Sequence, residues 1–269
     1  MNTLSQIFLT IYWPLQNIFT WNVLNYHLYY LYQMFKKILS PVFLLICFNS
    51  LGQNMTAKEL IGKSIQYHDP NNNWATFSGE LKITMETPSW GPRISSIFFD
   101  LQKGYFKNQY KSDSNLIFQE VNKGVCSVLF NGKAKFTSEE EKKYRLSCNQ
   151  TKRTRDYYAY LYGLPMKLKD PGTIINPELE KRSFKGKEYW VAQVNYEKEV
   201  GNDHWYFYFD PITYAMEVYQ FYHEESKNDG EYILLTEEIL VNGIKMPKNR
   251  AWYYNKNDKY LGTDFLFKN

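Results

Sequence analysis

Charge is missing from the start of this chain: the first 33 of its 269 residues contain no Asp, Glu, Lys or Arg. That stretch is apolar and aromatic, and a membrane anchor is the rival reading of it, although Pro14, Asn17, Asn22, Asn25 and His27 interrupt it. Glycine is scarce at 14 residues, and neither a P-loop nor a G-x-G-x-x-G turn occurs, which removes the usual phosphate-cradling loops. No H-E-x-x-H pair and no G-x-S-x-G elbow is present. Neighbouring carboxylates such as Glu237-Glu238 fall on opposite faces of a strand, and Glu139–Glu141 suits the positive end of a helix. Without Lys36 and Lys37, thirty basic residues face twenty-eight acidic ones, so no electrostatic footprint for nucleic acid exists. The short cluster Lys152-Arg153-Thr154-Arg155 ends at Asp156 and reads as a solvated helix face.

Downstream of the uncharged stretch, "MFKKILSPVFLLICFNSLGQ" has the three parts of a secretory leader. Lys36 and Lys37 are its positive end, 38–48 its apolar centre, and Ser50-Leu51-Gly52 its small cleavage residues. The expectation is that translation begins at Met34, that 1–33 is upstream sequence, that 34–52 is the leader, and that 53–269 is one domain. Cys47 lacks a small residue before it, since Ile46 is large and branched, so soluble export to the periplasm or beyond is favoured over a lipoprotein. Cys126 and Cys148 then remain, and an exported domain with one such pair is expected to bridge them.

What abounds is aromatic: 24 Tyr, 18 Phe and 7 Trp. Thr56 and Glu59 form a capping box ahead of a helix that places Ala57, Leu60, Ile61, Ser64, Ile65 and His68 on one face. From residue 77 the pattern turns to period two, with Leu81, Ile83 and Met85 alternating against polar neighbours. Pro88 to Pro92 reads as a turn, and short strands follow at 94–101, 105–111, 116–121 and 125–130, with Asn131-Gly132 leading into 133–136. A helical insert comes next, with Ser138/Glu141 as a capping box and Asn149 capping a segment that ends at Gly163. Strands resume at 188 and run to 267. About eleven strands exceed what an open sheet holds without curling. The expected fold is mainly β (α+β): a long antiparallel meander curled into an unclosed half-barrel around the helical insert, with an N-terminal helix. A β-sandwich is the second choice.

Two elements carry the functional reading. In "HWYFYF" at 204–209, Trp205, Phe207 and Phe209 share one face, and leaving all three wet would forfeit about 5–9 kcal/mol. That face must be covered by protein or by an apolar ligand, whereas Tyr206 and Tyr208 can sit half wet. The insert's last turns carry Tyr157, Tyr158, Tyr160, Leu161 and Tyr162, aromatic nearly all round, followed by Leu164 and Met166. Such a helix is expected to be enclosed. These ten residues fit an aromatic core or an incompletely filled one that admits an acyl chain.

"KSIQYHDPNNNW" at 63–74, "RDYYAYLYGLPMKLKDPGT" at 155–173, "WYFYFDPITYAMEVYQFY" at 205–222 and "IKMPKNRAWY" at 244–253 together resemble a domain-of-unknown-function family of small exported bacterial proteins. The order of elements is also similar to the periplasmic lipoprotein-carrier superfamily that sorts outer-membrane lipoproteins. That resemblance implies an unclosed barrel plugged by helices, with lipid acyl chains held between the two. The leading expectation is thus a monomeric, non-catalytic envelope binding protein, without cofactor or metal, whose partners are a lipid or lipoprotein acyl chain and other envelope proteins. The alternative is a small exported hydrolase or metal-dependent enzyme using His68, His204 or His223 with Asp69 or Asp203, in which His204 and His223 would be cross-strand neighbours.

Overall fold

The computed structural model describes residues 26, 29–34 and 55–267. The chain divides into two units, Met1–Asn54 and Met55–Asn269. Of the first, 26 and 29–34 are helical, and the expected leader lies outside the described residues apart from Met34. No helix among the described residues is long and apolar enough to cross a membrane.

The second unit is one sheet of twelve strands, one more than expected: β1 (Ser78–Thr87), β2 (Trp90–Asp100), β3 (Tyr105–Ser112), β4 (Asn115–Asn122), β5 (Val125–Phe130), β6 (Thr173–Phe184), β7 (Lys187–Tyr196), β8 (His204–Phe209), β9 (Met216–Tyr222), β10 (Glu231–Val241), β11 (Ile244–Tyr254) and β12 (Tyr260–Phe267). Their spatial order is β5-β4-β3-β2-β1-β12-β11-β10-β9-β8-β7-β6, every neighbouring pair antiparallel. The edges β5 and β6 stay apart, so the sheet curls without closing, as expected for the unclosed half-barrel.

This order dictates where the helices go. Residues 131–172 link the two opposite edges, so the insert with α2 (Ser138–Tyr144) and α3 (Cys148–Gly163) has to cross a face of the sheet. Together with α1 (Ala57–His68) it covers the face bearing Leu81, Ile83, Ile97, Phe99, Phe207 and Phe209, which is the main core. α1 starts with the expected capping box, Thr56 and Glu59 holding each other's backbone N–H at 3.2 and 2.7 Å. A disulfide joins Cys126 on β5 to Cys148, the first residue of α3.

Several local expectations shift. The second capping box is Thr137/Glu140, one residue upstream of Ser138/Glu141, and α3 is capped by Ser147 rather than Asn149. Pro92 lies within β2 at a bulge against β1, not in a turn, so its missing N–H breaks no ladder pair. After Asn131-Gly132 only the single bridge Phe130–Lys133 forms, since the chain must leave the sheet there to start the insert. β6 went unseen because an edge strand has little to bury: its alternation is weak, it is rich in charge, and its register shifts across Ile175 to Leu179, around Pro177.

Strand β8 divides as expected, with Trp205, Phe207 and Phe209 on the helix-covered face. Tyr206 and Tyr208, however, are buried rather than half wet. The β6–β7 hairpin folds over them: the Arg182 guanidinium lies 4.1 Å above the Tyr206 ring, and Phe184 packs 5.2 Å from both Tyr208 and Tyr232. Lys185 at the hairpin tip pairs with Asp258 in the β11–β12 turn at 2.7 Å.

Candidate ligand cavity

Between α3 and the sheet lies a cavity of about 550 Å³. Tyr157, Tyr160 and Leu161 roof it, and its floor takes Met85 and Thr87 from β1, Trp205 from β8, Tyr219 and Phe221 from β9, Glu231 and Ile233 from β10, Trp252 from β11 and Leu261 to Asp264 from β12. Antiparallel pairing builds the aromatic wall: Trp205 stands opposite Phe221 and Phe207 opposite Tyr219, with the Trp205 and Phe221 rings 4.9 Å apart. Tyr160 closes it from above, its ring 5.9 Å from Trp205 and its hydroxyl 2.6 Å from that of Tyr196.

Of the ten candidates read from the sequence, Tyr157, Tyr160, Leu161 and Trp205 line this cavity. Tyr162, Leu164, Met166, Phe207 and Phe209 are packed into the core beside it, and Tyr158 lines a separate polar pocket. The enclosure of α3 is incomplete: Tyr157 is 48% exposed. The wall residues the sequence reading missed, Tyr219 and Phe221 above all, share the face of Trp205 once β8 and β9 are paired. Hairpin register was the signal that could have found them.

The cavity's polar groups are few: Asp264 and Thr263 are buried, Glu231 and Thr87 half-buried. Asp264 on β12 is 3% exposed. Burial raises its carboxyl to about 6, opposed by the nearby charges of Arg250 and Arg93. Burial likewise raises Glu231, and it holds the Tyr219 hydroxyl, which has no partner, neutral. Arg250, directly across from Asp264 on β11, ties the roof to the floor. Its Nη2 donates to the Leu161 carbonyl at 3.3 Å, its Nη1 to that of Pro247 at 3.0 Å, and its guanidinium lies 3.9 Å above the Tyr162 ring. A cation there also meets the negative end of α3.

The histidines do not converge. His68 is buried, with Nδ1 donating to the Lys245 carbonyl at 2.8 Å and Nε2 accepting from the Met216 amide at 3.0 Å. Both ring nitrogens are thus occupied by backbone, and desolvation keeps the ring neutral by lowering its pKa. Asp69 caps the following turn, accepting from the amides of Asn73 and Trp74. His204 pairs across the ladder with Tyr222, not His223, and its ring meets Asn195. His223 lies beyond β9, exposed, with Nδ1 2.7 Å from Asp203. No group of three His, Cys, Asp or Glu among the described residues is arranged to hold a metal.

Comparison with curated proteins finds none that matches. Among solved structures, a LolA superfamily protein from Nitrosomonas europaea is similar at 10% identity and a TM-score of 0.44, over 80% of this chain and 93% of that one. An outer membrane lipoprotein-sorting protein domain from Vibrio parahaemolyticus is similar at 8% identity and 0.43, over 78% and 89%. A DUF1329 family protein from Desulfovibrio piger is similar at 8% identity and 0.36, over 78% and 91%. The model of a family of unknown function, DUF6503, matches residues 36–269, and the chain belongs to that family.

Proposed function

We propose that this protein is an exported, non-catalytic binding protein of the cell envelope that holds one acyl chain between α3 and the sheet. The observation that carries the reading is the apolar cavity itself, about 550 Å³ and walled by Tyr157, Tyr160, Trp205, Tyr219, Phe221 and Trp252. If a methylene fills about the ~30 Å³ of a liquid water molecule, the cavity has room for one long chain. Each buried methylene contributes about 0.8 kcal/mol, so ten offer ~8 kcal/mol against the cost of immobilising the chain. These rings pack against one another along the wall, Trp205 and Phe221 at 4.9 Å, and still leave a common apolar hollow between them.

The test is lipid mass spectrometry on the protein purified without detergent, beside a Leu261→Trp variant. Leu261 is half-buried at the cavity wall, so a larger apolar side chain there fills the void without burying a polar group. The expected result is about one single-chain lipid per protein, and at least a several-fold lower content in the folded variant. Equal lipid content in the folded variant, or none in the wild type, would remove the reading.

A further inference from the structure

Beside the apolar cavity lies a second hollow of about 400 Å³, walled by different chemistry. It sits between the first half of α3 and strands β2 to β4, on the helix-covered face. Alternation along those strands should place apolar side chains there, and it does so with Ile97, Phe99, Phe106, Ile117 and Val121. Between them the same face carries Arg93, Asn108 and Gln119. Asn108 and Gln119 stand opposite each other across the β3–β4 ladder, 2% and 1% exposed, joined by one bond of 3.0 Å from Asn108 Nδ2 to Gln119 Oε1. Asn108 Oδ1 and Arg93 Nε are buried without a partner. Buried polar groups cost stability unless something satisfies them.

The hollow's charge has one sign. Arg93, Arg145 and Arg153 line it and no Asp or Glu does. None of the three arginines makes an ion pair within 4 Å with a described residue, whereas the next arginine along the helix, Arg155, is paired with Asp156. Arg93 is held in place by Tyr158, to whose hydroxyl Nη2 donates at 3.4 Å, and by the Tyr110 ring 5.3 Å away. Guanidinium groups match phosphate oxygens with paired donors, and a cluster of them with no acid in the shared lining is the arrangement an anion selects.

The two hollows adjoin at two points. Tyr157 lines both, and Arg93 touches Met85 of the apolar wall through Nη2 and Sδ at 3.5 Å. We infer that they form one amphipathic site, in which the Arg93–Arg145–Arg153 hollow takes a phosphate group and the apolar cavity takes the single chain attached to it. This rests on the acyl-chain reading above and adds the class of head group and its direction. The acids lining the apolar cavity, Glu231 and Asp264, repel a phosphate, so the molecule enters with its head under the first half of α3.

Calorimetric titration of the full chain with decyl phosphate, decanol and inorganic phosphate tests this, in the wild type, Arg145→Gln/Arg153→Gln and Leu261→Trp. Both arginines are exposed, so the double variant keeps the fold, which circular dichroism verifies. Decyl phosphate is expected to bind about tenfold or more tightly than decanol, and the double variant to lose that advantage while binding decanol unchanged. Equal affinity for the two in the wild type, or an unaltered advantage in the double variant, would overturn the head-group hollow and leave the acyl-chain reading standing. Neither alkyl compound binding would overturn both. Inorganic phosphate binding as tightly as decyl phosphate, lost in the double variant and untouched by Leu261→Trp, would replace the amphiphile with a free anion.

Discussion

Asp264 and His68 are the two residues whose burial has consequences in opposite directions. Asp264 titrates at about 6 in the fold against 3.8 in the unfolded chain, so the native state holds its proton more tightly. Its contribution to stability is full below pH 4 and is lost as pH rises through 6. His68 is depressed below 6.5 by burial, so its contribution is full above that pH and is lost as pH falls. The two partly cancel in the wild type. Asp264→Asn is therefore expected to match the wild type at pH 4 and to exceed it by up to about 3 kcal/mol at pH 7. Urea unfolding across pH 4–7.5 measures this, and parallel curves for the two proteins would contradict the assignment. Of these residues, the role of His68 on an apolar helical stripe was partly legible, since it falls on the face that α1 buries. Asp264 was not, because nothing in "YLGTDFLF" tells a buried carboxylate from a wet one.

At the scale of elements, α3 is the part on which the site depends. It is fastened at its start by Cys126–Cys148 to an edge strand, and near its end by Arg250. Gly163, its last residue, lets the helix meet Trp74: a Cβ there would lie 2.5 Å from the indole. The disulfide closes a loop with a separation of 22 residues, which in the chain-entropy picture contributes about 3 kcal/mol. Cys126→Ser/Cys148→Ser is expected to lower unfolding stability by about 2–4 kcal/mol and to loosen both hollows at their common roof, read as lower stability and weaker decyl phosphate binding. Retention of both values would show that α3 is held by packing alone. The pairing was legible from cysteine count once export was assumed, and so was the helix. Which of its side chains face the cavity was not, since the period of α3 is blurred by tyrosines on every side.

For the whole domain, the sheet's curl places its first and last strands together at the centre and its sixth at an edge. β1 and β12 are paired on both sides and give Leu81, Ile83 and Leu266 to the core, whereas β6 has one neighbour and no buried side chain. Hydrogen exchange should therefore be slowest in β1, β11 and β12 and faster by orders of magnitude in β6, with β5 intermediate because the disulfide and the Leu146 cluster cover it. Uniform protection across all twelve strands would show that the edges do not open independently.

Sequence by itself determined the class of this protein: period-two alternation, turn residues, capping boxes and an excess of aromatics suffice for a curled antiparallel sheet with helices, because each is a local property of backbone and side chain. It also determined that Trp205, Phe207 and Phe209 share a covered face. Only the tertiary structure decided that Trp205 faces a void while Phe207 is packed solid, and that Arg93, Arg145 and Arg153, far apart along the chain, line one hollow. The cause is the order of the strands. A link from one sheet edge to the other has to carry α3 across the face, and the space left beneath it depends on the register of strands distant in sequence, which no local pattern encodes.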